Sequence, residues 1–282
     1  MSPERCSDIS LDAGESLAAT ATTAEHWLLV EVPGSWPRDV SVEGALPEPA
    51  HEAVATWLEQ IPSSRLLFIR RPGGSALRSL VFVIHAAEST AAVRRIELEH
   101  PTDLAVVDLG GDGECTDRPL VLVCGHGSRD ACCALRGTAV YGALAGRLGN
   151  EEVWISSHQG GHRFAPNVLV LPAGLQFGRV DPDEAAFVVA RALAGRIELD
   201  RYRGRTCYAS TVQAAEQSVR EARELDGVAD LRLAGVEGAR VRFRGCDATE
   251  HAALVEEIVG PRVPASCGAD PEAQKTFSAQ IV

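Results

Sequence analysis

The feature that most constrains this chain is a pair of loops, CGHGSRDACC (124–133) and HQGGH (158–162), each following directly on a short apolar run, VLVC (121–124) and EVWISSH (152–158). Runs of this kind, bounded by glycine, read as strands. The stretch between them, DACCALRGTAVYGALAGRLGN (130–150), reads as a helix with Asp130 as its N-cap and Gly149-Asn150 as its stop. A strand-helix-strand unit pairs its strands in parallel, so both loops are expected to open on one edge of the sheet, where sites collect.

The rest of the chain is read around that unit. NVLVLP and LQFGRV, joined by Ala173-Gly174, predict a hairpin, and Asp181 (N-cap) with Pro182 introduces a second helix ending at Gly195. The order over residues 114–206 is then β-α-β-β-β-α. Residues 25–113 show a related order: LLVEV, the helix HEAVATWLEQI, then RLLFIR, LVFVIHA, RRIELEH and LAVVDL as extended runs, with a boundary at GGDG (110–113). LLVEVPGSWPRD (28–39) resembles LVLVCGHGSRD (120–130), so this N-terminal α/β part reads as a candidate degenerate repeat without cysteine at its loop. Residues 1–24 are small and polar and are expected to form a mobile lead-in. Residues 207–282 read as a small α+β appendage, with a helix near 210–225 capped by Ser210 and Gln213, then DLRLAG and ARVRFRG as a hairpin; the last 25 residues carry no clear pattern.

Charge and cysteine content narrow the function. Among 282 residues, 27 basic against 39 acidic side chains give a net charge of −12, a field that repels phosphate backbones and anionic membranes. Neither nucleic acid nor a membrane is an expected partner, and no apolar window reaches a membrane span. The acidic start of the chain lacks an apolar signal region, so the protein is expected to be cytoplasmic. Of the basic residues 26 are Arg, a bias that with abundant Ala suggests a GC-rich, bacterial source. In a reducing compartment clustered cysteines are read as metal ligands or redox groups. Cys6, Cys207, Cys246 and Cys267 lie far from any cluster in the sequence.

Cys124, Cys133, His158 and His162 offer two thiolates and two imidazoles, a set suited to tetrahedral zinc or to the iron of an iron-sulfur cluster. With Asp130 as N-cap, Cys133 falls at the third helical position, where backbone N–H groups favour a thiolate. Cys132 points about 100° away from it and reads as a small core residue. His126, Arg129 and Arg163 are candidate outer-shell groups. A rival reading takes CGHGSR as the C-x4-R loop of a rhodanese-like sulfurtransferase or thiol-redox enzyme using Cys124 and Arg129, and another takes the four ligands as a structural Cys2His2 zinc module. Neither a P-loop nor a dinucleotide fingerprint is present.

LVCGHGSRDACCALRG, SSHQGGHRFAPNVLVLPAGLQFGRV and YRGR (202–205) together resemble the sucrase/ferredoxin-like family, strongly over about residues 118–206. That resemblance implies a thioredoxin-like ferredoxin unit with a [2Fe-2S] cluster on Cys124, Cys133, His158 and His162, acting as an electron carrier rather than an enzyme, with a reductase or electron acceptor as its partner protein. No carboxylate pair suits sugar hydrolysis. Two neutral imidazoles in place of two thiolates make the oxidised centre less negative, which raises its potential and links electron uptake to protonation of a ligand. The arginines 201, 203 and 205 form a candidate positive docking stripe.

Overall fold

A computed structural model of the chain describes residues 5–42, 44, 46–72, 79–148 and 152–282. After a short helix α1 (Cys6–Asp12), the first half of the chain supplies β1 (His26–Glu31), α2 (Glu48–Gln60), β2 (Ser64–Arg70), β3 (Ser79–Ala86) and β4 (Ala91–Leu98). The second half supplies β5 (Glu114–Thr116), β6 (Leu120–Cys124), α3 (Ala131–Ala145), β7 (Val153–Ser156), β8 (Val168–Leu171), β9 (Leu175–Phe177), α4 (Ala185–Leu193) and β10 (Tyr202–Arg205). All ten strands join one sheet in the order β10-β9-β8-β6-β7-β2-β1-β3-β4-β5. It is a mixed α/β fold.

The order contains one pattern twice. β1 pairs in parallel with β2 and antiparallel with β3, which pairs antiparallel with β4; β6 pairs in parallel with β7 and antiparallel with β8, which pairs antiparallel with β9. The two units meet where β2 and β7 run antiparallel, Ile69 opposite Ser156 and Arg70 opposite Ile155. Side chains alternate across the pleat. Leu28 and Val30 pack with α2 residues Val54 and Trp57, whereas Val121 and Val123 pack with Val140 of α3 and Val188 of α4. On the opposite face Trp27, Leu29, Leu67, Leu122, Trp154 and Leu169 form one core drawn from both halves. Burying a large apolar side chain contributes about 1.5–3 kcal/mol, so this common layer fixes the halves to each other.

Several expectations are corrected. β5 follows the GGDG turn yet pairs with β4, on the first half's edge, so the boundary at 113 does not separate the pairings. LAVVDL is not a strand: Pro101–Ala105 is a 3-10 turn burying Leu104, because Asp103 accepts the His100 backbone N–H and closes the chain on itself. Residues 5–24 are not a mobile lead-in. Glu15 pairs with Arg163 at 2.8 Å and accepts Ser10 Oγ at 2.6 Å, and the Thr20 and Ala21 N–H groups donate to the Arg203 carbonyl. These anchors are polar or small, so no apolar periodicity announces them. The stop at Gly149-Asn150 lies outside the described residues, and α3 ends at Gly146.

The chain closes with α5 (Ser210–Arg223) and a separate four-stranded antiparallel sheet, β11 (Leu231–Glu237), β12 (Arg240–Gly245), β13 (Glu250–Pro264) and β14 (Pro271–Ile281). Gln213 does not form the expected capping box. Its amide is buried and donates to the Tyr208 carbonyl at 2.8 Å, tying α5 to the turn that precedes it. The last residues are the long β13–β14 hairpin, whose outer positions are polar and exposed. Among the described residues no helix is long and apolar enough to cross a membrane.

Candidate metal centre

β6 and β7 lie side by side with Cys124 opposite Ser156, so both loops leave the sheet at one edge. The Cys124 N–H donates to the Asn167 carbonyl and the Gly125 N–H to the Ser156 carbonyl, both at 3.0 Å, which fixes the end of β6 between its neighbours. Asp130 caps α3, its carboxylate accepting the Cys132 N–H at 2.8 Å, and Cys133 follows at the third helical position. The helix can approach because of Gly137: a Cβ there would lie 2.0 Å from the Cys124 carbonyl oxygen. Glycine at 137 therefore lets the first turn of α3 press on the end of β6 and brings the two cysteines together.

The histidine loop is turned by glycines of a different kind. Gly160 and Gly161 adopt φ of +93° and +67°, left-handed backbone that side chains resist, and Gly161 opens the 3-10 turn carrying His162. The reversal folds the loop back so that the His158 and His162 rings sit 4.8 Å apart at 37°. Arg203 holds the turn from beneath, donating to the Gly160 carbonyl at 3.0 Å and to Asn167 Oδ1 at 2.8 Å.

Ligand atoms of Cys124, Cys133 and His158 all lie within 4.8 Å of one another, whereas His162 stands outside that group and meets it through its ring contact with His158. Cys124 and Cys133 are fully buried and His162 nearly so. The hydrogen bond between the thiols, aided by His158, pulls Cys124 well below the ordinary thiol range, and the same bond with burial pushes Cys133 well above it. Burial, and then the His158 charge, lower His162, keeping its ring neutral. The Nδ1 atoms of His158 and His162 are both buried without a hydrogen-bond partner. Buried polar atoms are rarely left so, and two unpartnered imidazole nitrogens on neighbouring rings, one ring grouped with two thiols, fit a metal-ligating role.

The outer groups sort differently from expectation. His126 is buried, and its tautomer is set from both sides: Nε2 donates to the Pro37 carbonyl at 2.8 Å and Nδ1 accepts the His158 N–H at 3.2 Å. Its role is to place His158. Arg163 instead pairs with Glu15 and stacks on Phe164. Arg129 lines a cavity of about 330 Å³ together with Arg38, Asp39, Arg65, His126 and His158. The arginine stripe is not a docking surface: Arg203 and Arg205 are buried and bonded to backbone carbonyls, and Arg201 pairs with Glu184. Sequence reasoning assigned Asp130 only a capping role, whereas its Oδ2 also faces His162 Nε2 at 3.9 Å. The one signal for this was its place within the cysteine loop.

Residues 17–204 match the family model described as sucrase/ferredoxin-like. The chain belongs to the sucrase/ferredoxin-like family. The match runs through both halves of the large sheet, so the family unit is the whole ten-strand platform up to β10 rather than the second half alone. Relatives of this sucrase/ferredoxin-like chain include three proteins named altered inheritance of mitochondria protein 32. The Meyerozyma guilliermondii protein is 35% identical over 95 residues, 30% of this chain and 34% of the relative. Those of Eremothecium gossypii (35% over 106 residues, 33% and 34%) and Debaryomyces hansenii (32% over 112 residues, 36% and 38%) are comparable. The matched stretches thus cover only about a third of each relative. No solved structure matches the chain.

Proposed function

We propose that this protein is a one-electron carrier that holds a [2Fe-2S] cluster on Cys124, Cys133, His158 and His162, within a thioredoxin-like unit made of β6, α3, β7, β8, β9 and α4. The observation that carries the reading is the grouping of the Cys124, Cys133 and His158 ligand atoms within 4.8 Å, with the Nδ1 atoms of His158 and the adjoining His162 buried and unpartnered. When bound, the cluster supplies a one-electron couple whose potential is raised by the neutral ligands.

The chain's own residues do the rest. Gly137 and the Asp130 cap hold Cys133 against Cys124, and Arg203 and Asn167 hold the loop that presents the histidines. His158 is only half-buried and borders the cavity, so its ring lies on the solvent side, while His162 is turned toward the Asp130 carboxylate. Arg38, Arg65 and Arg129 around that cavity give an acidic chain a local positive rim beside His158, suited to guiding an acidic redox partner.

The compactness of the three ligand atoms, all within 4.8 Å, also suits a single zinc ion, which is the second reading. Sulfurtransfer by Cys124 is less well served. That thiol is fully buried, and it is lowered chiefly by hydrogen bonds from Cys133 and His158. The test is the visible spectrum of protein purified without oxygen, with iron, acid-labile sulfide and zinc counted, for wild type and His162→Cys. A red-brown protein with equal iron and sulfide and a spectrum that shifts in the variant supports the cluster. A colourless protein whose zinc is lost on replacing Cys124 supports the mononuclear reading.

A further inference from the structure

On the far side of the same helix turn a second group of ligands converges. Cys132, Cys6 and Cys267 place their sulfurs 3.6, 3.3 and 3.6 Å apart around a triangle. The carboxylate of Asp130 closes over it, 3.9 Å from Cys6 Sγ and 3.3 Å from Cys267 Sγ. All four ligand atoms lie within 4.8 Å of one another. Cys6, Cys132 and Asp130 are buried and Cys267 is half-exposed.

A tetrahedral zinc with Zn–S bonds of about 2.3 Å sets its sulfurs about 3.8 Å apart, close to the observed triangle. The carboxylate that caps α3 thus also lies among three thiols, a donor set of three sulfurs and one oxygen. The carboxylate is already oriented: the N–H groups of Cys132 and Cys267 donate to it at 2.8 and 2.9 Å, the kind of outer support that ligating carboxylates have.

We propose that Cys6, Cys132, Cys267 and Asp130 form a second metal centre, a tetrahedral site for one zinc ion, distinct from the centre at Cys124. On coordination each thiol gives its proton to solvent, and the half-exposed Cys267 side is the way in. The ion joins three places remote in sequence: the first turn of α1, the capped start of α3 and the turn between β13 and β14, with Cys6 and Cys267 separated by 261 positions. It thereby staples the N-terminal segment and the C-terminal hairpin onto the turn that carries Cys133. Asp130, which reaches His162 as well, is common to both centres.

The full chain, purified without an affinity tag from zinc-supplemented medium, is assayed for zinc, iron and sulfide in wild type, Cys6→Ser, Cys267→Ser and Cys124→Ser. The account expects about one zinc per chain in wild type and Cys124→Ser, falling at least tenfold in Cys6→Ser and Cys267→Ser. Iron and sulfide at the other centre are retained in those two variants. Titration of zinc-depleted protein with Co²⁺ should give thiolate-to-cobalt absorption in wild type that Cys267→Ser, in an exposed turn, weakens without unfolding the protein. Zinc that disappears in Cys124→Ser but survives Cys267→Ser would put the ion in the first centre and overturn the proposal. Zinc-free folded protein that takes up no Co²⁺, with three free thiols or a Cys132–Cys267 disulfide, would overturn it as well.

Discussion

In the first half of the large sheet the chain leaves β1 through Pro33, Gly34 and Trp36; in the second it leaves β6, which holds the equivalent place, through Gly125, His126 and Arg129. The first loop carries no ligand. It packs instead, with Trp36 buried, its indole N–H donating to the Val32 carbonyl at 2.8 Å and Arg70 stacked on its ring. Trp36 also meets His126 edge-on at 5.7 Å, and the neighbouring Pro37 carbonyl holds His126 Nε2. The same strand order thus carries the candidate ligands in one unit and a packed tryptophan in the other, and the first unit's loop reaches across to fix the ring that places His158. Topology specifies where a site can be; the residues at the strand end specify whether one is there.

That comparison can be broken most severely at the ligands themselves. Cys133→Ser is expected to abolish iron binding, whereas replacement of the adjacent Cys132 leaves iron in place, and counting iron and sulfide in both variants checks it. Trp36→Ala should cost about 3–5 kcal/mol by denaturant unfolding, as for other buried tryptophans, and should also loosen the iron centre although it touches no ligand. Gly137→Ala drives a Cβ into the Cys124 carbonyl and should cost about 1–3 kcal/mol, with iron lost more readily to a chelator than from wild type.

The smallest and sharpest effect concerns the two histidines. One proton taken up with one electron makes the midpoint potential fall by up to about 59 mV per pH unit as pH rises. Voltammetry should show His158→Cys, on the cavity side, flattening this dependence more than His162→Cys, because His162 faces Asp130 rather than solvent.

Much of the second half was legible in the sequence because its signals are local: an apolar run, a capping Asp130, and motif residues a few positions apart. The N-terminal segment was illegible for a physical reason, since it is held by Glu15, Thr20 and Thr22 through polar bonds to partners more than a hundred residues away. Arg203 misled in the same way. An arginine in a charged stripe reads as solvent-facing, yet here the carbonyl of Gly160 and the amide of Asn167 satisfy it inside the protein. Cys6 and Cys267 carry no local pattern at all, and only the packing of α1 and the β13–β14 turn against α3 brings them to Cys132. The long β13–β14 hairpin escaped notice because a mostly exposed hairpin has little apolar alternation to show.

The central claim is that the second half binds its metal group through two imidazoles. Pulsed electron paramagnetic resonance of the reduced protein, prepared with ¹⁵N-labelled histidine, tests it most directly. The account predicts a [2Fe-2S] signal with strong coupling to two histidine nitrogens, reduced to one coupled nitrogen in His162→Cys. A reduced protein with no such signal, or one whose iron couples to no histidine nitrogen, would contradict it.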